Sequence, residues 1–263
     1  MKTTPDKYKK RALSIIFILL FCNSNILIAQ IQTYMGISVG YSVLDMGEVN
    51  RDIVDTYQAI KSANIKASTP NIRAPAPVEI KGGMYIDATL FMRFDKISLG
   101  ASVNHIAGKG NYAYSDYNGS SEEHYDVSTY EFMGIIATSI PLYKVIKLSF
   151  RGYAGYGLAS ARYAGRAHFI FSPDNNLTET NQVSGGYFCS RLQGGFELFV
   201  EPVILNFSIG YRFANAGRLK GNMIRNDVNY SDMGIENARG SDIEFDYSGI
   251  SFLAGIEFRL FIW

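Results

Sequence analysis

Two cysteines, three histidines, seven prolines and one tryptophan are few of each for a chain of 263 residues. Each scarcity removes a class of protein. Cys22 and Cys189 sit in unlike contexts, so no disulfide framework is expected. His105, His124 and His168 are dispersed without a metal-ligand spacing, and no Gly-rich phosphate loop or nucleophile elbow is present. The formal net charge is +1, which gives nucleic acid no basic surface to bind. Charged residues make up only 19%, few for a soluble globule. Catalytic, cofactor-binding and metal-binding residues are therefore all expected to be absent.

Aromatics, in contrast, reach 14%, with 18 Tyr and 17 Phe beside 25 Gly. This composition favours strands and tight turns. At the N-terminus Lys7, Lys9, Lys10 and Arg11 precede the apolar run Ala12 to Phe21. That run is too short to span a bilayer, which takes roughly 20 residues, and reads as a secretory signal at 1–29 ending at Leu27-Ile28-Ala29. An uncleaved anchor is the alternative, and lipidation of Cys22 is opposed by the bulky Phe21 before it. Without 1–29 the chain holds 20 basic and 23 acidic residues. The remaining segment, 30–263, is read as one domain.

The last stretch of the chain sets the pattern for the rest. From Tyr247 to Trp263, Ile250, Phe252, Ala254, Ile256, Phe258, Leu260 and Ile262 alternate with a mixed set holding Glu257 and Arg259. A period of two is a strand's signature, because successive side chains point to opposite faces. Seven earlier segments repeat it, beginning near Met35, Met84, Ile97, Tyr130, Leu148, Leu192 and Leu205. Asp95-Lys96, Pro141 to Lys144 and Glu201-Pro202 form short connections after the second, fourth and sixth. The other connections are long and polar. Short turns on one rim and long loops on the other suit a membrane-spanning barrel.

Pooled, the polar faces carry Asp87, Glu131, Glu197 and Glu257 against Arg93, Arg151, Arg191, Arg212 and Arg259. An eight-stranded barrel is just wide enough for its own side chains to fill. These nine are therefore expected to pair inside it as a charge network. A structural polar core is the first reading, and a proton or ion relay the second. In the first long loop, Val49, Ile53, Tyr57 and Ile60 recur at helical spacing, which predicts a short amphipathic helix over 46–63. It would pack over the barrel mouth or meet a partner or lipid. Pro70, Pro75 and Pro77 keep the following chain extended. The next three loops are expected to be solvated and polar.

With these strands from Gln30 to Trp263, the chain resembles the small bacterial outer-membrane β-barrel superfamily, which contains the membrane domain of outer membrane protein A and porin-like proteins. The Ala29-Gln30 junction and Tyr/Gly-rich strands are similar to those of Bacteroidetes-type barrels. The resemblance implies an all-β, eight-stranded antiparallel up-and-down transmembrane barrel with periplasmic termini and extracellular long loops. It also implies outer-membrane lipid as surroundings, the barrel assembly machinery as a partner during insertion, and a monomer. Family barrels end on a lipid-facing aromatic. Trp263 is one residue out of phase with Ile256, Phe258, Leu260 and Ile262, so either the strand bulges near its end or the terminal signal is read differently from Phe261 and Trp263. Asn104 to Ala107 resembles the His-x-Ser motif of barrel lipid A deacylases, but Ala107 replaces the nucleophilic serine. A non-enzymatic structural or surface-interaction role through the loops is expected. The alternatives are a narrow pore or small-solute transporter, an accessory barrel of a secretion system, and a secreted lipocalin-like ligand binder.

Overall fold

A computed structural model describes residues 31–66, 72–237 and 240–262. The expected signal at 1–29, Pro70 and Trp263 lie outside the described residues. Eight antiparallel strands close on themselves: β1 (Ile31–Val43), β2 (Gly82–Phe94), β3 (Ile97–Asp116), β4 (Gly119–Tyr143), β5 (Ile146–Phe169), β6 (Leu177–Val200), β7 (Val203–Phe213) and β12 (Gly249–Ile262). Each pairs with the next, and β12 pairs with both β7 and β1. Between β7 and β12 come the short strands β8 (Asn215–Arg218), β9 (Lys220–Arg225), β10 (Val228–Met233) and β11 (Glu244–Asp246). A helix, α1 (Gly47–Lys66), follows β1, three residues longer at its C-terminal end than its apolar spacing predicts.

Alternation decides which face meets which surroundings. On β4, Tyr130, Phe132, Ile136, Ile140 and Leu142 all lie outward and more than half exposed, whereas Glu131 and Met133 between them are buried. The same apolar-out, polar-in order runs round the ring, as lipid on the outside requires. From Tyr130 to Leu142 this belt stands roughly 30 Å tall at ~3.3 Å per residue and a tilt of about 40°. That matches the hydrocarbon thickness of a bilayer, ~30 Å.

Two of the expected polar loops are strand. β3 and β4 run on past the belt to a tight turn at Tyr117-Asn118, and β5 and β6 continue to a connection at 170–176. Beyond the belt the alternation keeps its phase while its chemistry inverts. Tyr112, Tyr125, Val127, Ala161 and Val183 now face inward and are buried, while Lys109, Asp126, Arg162 and Gln182 line up on the outer face. Water has replaced lipid outside, so the apolar residues turn their backs to it. β9 takes over pairing with β6 where β7 has ended, and β10 pairs with β9. The wall thus rises past the belt as a six-stranded open sheet. Its β3 edge is bridged by Arg73 and Val78, beside Pro75 and Pro77. The fourth loop is likewise structured, by β8 to β11.

Of the two alternatives for the end of the closing strand, the structure displays the bulge. Thr33 pairs with Phe261 and Tyr34 with Arg259, so Leu260 is skipped and the outward phase passes to Phe261.

Candidate functional site

The bore and its cap hold the polar chemistry of the chain. Inside the belt, four arginines and four carboxylates face one another. In the half nearer the short turns, Glu197 takes Arg93 at 3.0 Å and Arg151 at 2.9 Å, and Arg151 also reaches Glu257 at 2.6 Å. Asn206 donates to Glu257 at 3.0 Å. In the other half, Arg191 meets Asp87 at 2.7 Å and Arg212 stands 3.8 Å from Glu131. Tyr187 donates to Glu131 at 2.7 Å, and Arg212 donates to the carbonyl of Tyr247. The Arg191 guanidinium lies 3.6 Å from the Tyr153 ring centroid, with Tyr85 at 5.3 Å.

Strand register brings these partners together. Asp87, Asn104 and Glu131 stand side by side on β2, β3 and β4, facing the adjacent Arg191 and Arg212 of β6 and β7. All eight charged side chains are at least nine-tenths buried. Opposite charges in equal number keep that burial tolerable, since an uncompensated buried charge costs several kcal/mol.

Arg259 is a correction to the expected network. It shares the inward register but lies at the end of β12, partly exposed, bound at 3.1 Å to the exposed Glu201 in the β6–β7 turn. Its position beyond the last buried layer places it in the rim.

Both ends of the bore are shut by apolar side chains. Tyr34, Phe91 and Ile204 cluster at the turn end, with Phe199 against them. At the other end α1 lies across the mouth with Val49, Ile53 and Tyr57 buried over Ile80, Tyr112 and Phe245. Full burial of side chains of this size contributes ~1.5–3 kcal/mol each. Polar contacts fix the helix. Asn50 exchanges two hydrogen bonds with the Ile80 backbone (3.0 and 2.7 Å), Tyr57 donates to Ala74 O (2.8 Å) and Tyr125 donates to Asp52 (2.8 Å). Of the two roles open to the helix, the structure displays packing over the mouth.

On the inner face of the raised sheet, opposite Tyr112, sits Glu123, in a stretch whose sequence reads as a polar loop. Burial first, with Asp52 and Glu179 adding to it, pushes its carboxyl up to about 7, against the hydrogen bonds from Tyr112 and Tyr163. Burial also raises the Tyr112 and Tyr163 hydroxyls above their ordinary value.

Asn104 and His105 point to opposite faces of β3. Asn104 is buried in the bore, and His105 stacks on Tyr130 at 4.4 Å on the outer face. Ala107 follows on the outer side, beside Ser128. Cys189 faces inward, buried and free. Among the described residues no three His, Cys, Asp or Glu side chains gather as a metal site.

No family model matches the sequence, and no curated protein matches it. Solved structures that the chain is similar to include the following three. Neisserial surface protein A is 8% identical, over 87% of this chain and 97% of that one, with a TM-score of 0.38. Ail, the attachment invasion locus protein of Yersinia pestis, in complex with the heparin analogue sucrose octasulfate, is 10% identical over 87% and 99%, with a TM-score of 0.38. The outer membrane protease OmpT from Escherichia coli is 8% identical over 88% and 97%, with a TM-score of 0.25. At such scores the comparisons carry no argument, and the fold stands on this chain's own strand pairing, an eight-stranded antiparallel barrel.

Proposed function

We propose that the protein is a non-enzymatic barrel of the bacterial outer membrane that acts through the sheet raised beyond its belt. The observation that carries this reading is the closed bore. Paired charges fill the middle and apolar clusters shut both ends, while the wall continues outward as a broad sheet with a polar outer face. A solute path would have to break ion pairs that are costly to separate. The raised sheet would stand outside the cell and present its surface to a protein or other surface ligand. Outer-membrane lipid would surround the belt, the barrel assembly machinery would insert it, and one copy would suffice for the fold.

Planar-bilayer recording of the refolded protein separates this role from transport. Silence is expected. Steady, defined openings that vanish on neutralising Arg151 or Arg212 would overturn it.

A further inference from the structure

The strand ladder of the wall is interrupted at the outer edge of the belt, where β6 passes from one neighbour to another. β6 pairs with β7 as far as Ser190 and with β9 from Ser184 onward, so Gly185 to Cys189 have a ladder partner on the β5 side alone. The cap is the cause. After Phe213 the chain turns inward at the buried Ala214, forms β8 against β11, and rejoins the wall at Lys220. Phe188 lies nearly as far from the turn end of β6 at Val200 as Tyr130 does from that of β4 at Tyr143. β7 stops short of that level. The notch is therefore cut at the height where lipid gives way to water.

Three kinds of group meet there. Phe188 is 87% exposed, more than its belt neighbours Tyr156 and Leu192, because the strand that would flank it is missing. The Tyr156 ring stands edge-on to it at 5.7 Å, and the Tyr156 hydroxyl lies over Gly186. Next comes the open edge itself. Alternate residues of an unpaired strand aim N–H and C=O sideways, and such groups are costly to leave facing hydrocarbon. Farther out, Arg218 and Lys220 flank the buried Leu219, with Lys220 in register with Ser184. Both cations are exposed, with Glu244 at 3.7 Å and Asp232 at 3.2 Å. Exposed pairs of this kind are weak, so both cations keep donors for a further anion. Behind the notch Leu219 packs on Gly185, and Tyr187 and Cys189 are buried. It is a surface site, closed to the bore.

We propose that this notch holds one phosphate-bearing acyl lipid of the outer leaflet. Its phosphate lies on Arg218 and Lys220, its polar junction on the edge of Gly185 to Cys189, and one chain along Phe188 and Tyr156. The sequence of anion, hydrogen-bonding junction and hydrocarbon in the lipid matches that of cation, open backbone and aromatic ring in the wall. The site is also continuous with the belt that faces lipid. The inference rests on that belt's lying in a membrane and is independent of what the raised sheet binds.

The test is native mass spectrometry of the full chain, refolded into phosphatidylcholine liposomes that contain lipid A and then extracted in mild detergent. One lipid A should stay on each barrel while phosphatidylcholine washes away. Arg218→Gln together with Lys220→Gln should lower that retention about tenfold, and Phe188→Ala should lower it severalfold. Phe196→Ala, exposed to lipid on the same strand, should leave it unchanged. Flotation of the liposomes reports insertion separately. Protein that floats and retains no lipid A overturns the notch and leaves the membrane-spanning belt standing. Equal retention of phosphatidylcholine, unchanged retention in both notch variants, or a dimer in place of the lipid adduct would overturn the proposal as well.

Discussion

Arg151 Nη2 lies 2.6 Å from Glu257 Oε1, and this contact ties the middle of the wall to its closing strand through the centre of the bore. Because Arg151 also holds Glu197, and Glu197 holds Arg93, one guanidinium connects strands that are distant in sequence. The ring closes by backbone pairing, and these charges make one particular closure the satisfied one.

Replacing Arg151 should therefore be expensive. Arg151→Met leaves Glu257 buried with no arginine and should destabilise the refolded barrel by about 3–5 kcal/mol. The expected readout is a lower urea midpoint, followed by the heat-dependent shift in gel mobility. Adding Glu257→Gln to the same chain should restore part of the loss. A double variant no more stable than the single one would show that the two residues do not act as a pair.

Arg259 should behave differently. Its partner Glu201 is exposed, so Arg259→Gln should cost under ~1 kcal/mol by the same urea titration. A loss as large as that of Arg151→Met would place Arg259 back inside the network.

Two glycines three residues apart on β5 offer a test of wall geometry. A methyl group at Gly155 would overlap the Phe132 carbonyl oxygen on the adjacent strand, whereas one at Gly152 would first meet a side-chain carbon of Ile136 at 3.5 Å. Gly155→Ala should abolish the folded gel band or lower its yield severalfold, and Gly152→Ala should leave the band unchanged.

The cap should come loose independently of the barrel. Ile53 is fully buried over the mouth, and Ile53→Ala should cost ~2–5 kcal/mol. That loss falls on α1 alone, so limited trypsin digestion should cut near Arg51 or Lys61 while the heat-dependent gel shift of the remaining barrel is retained.

Most of the ring was legible because lipid-facing strands advertise themselves. Tyr130 and Phe132 outside with Glu131 between them can be read from alternation alone, and so can the short turn at Asp95-Lys96. The raised sheet was hidden by the inversion of polarity at the membrane edge. Tyr125 and Val127 continue the alternation of β4 but on the other face, so a search for one apolar phase stops at Tyr130. Two outward-to-inward phases in one segment, with no insertion between them, were the available signal. Arg259 was misplaced because register tells which face a residue takes and not how deep it lies. Glu123 could not be found from sequence, since the stretch of β4 that turns it inward reads as a polar loop. The phase mismatch of Trp263 was readable, but a bulge was one of two explanations for it, and the register skips Leu260.

Alternate residues of β4 meet lipid from Tyr130 onward and water before it. Spin labels placed singly at Asp126, Ser128, Phe132 and Ile136 in liposomes test this by collision with oxygen, which enriches in lipid, and with a water-soluble nickel complex. Phe132 and Ile136 should favour oxygen, Asp126 and Ser128 should favour nickel, and the crossover should fall between Ser128 and Phe132. Nickel access at all four positions would contradict a membrane-spanning wall and return the chain to a soluble barrel.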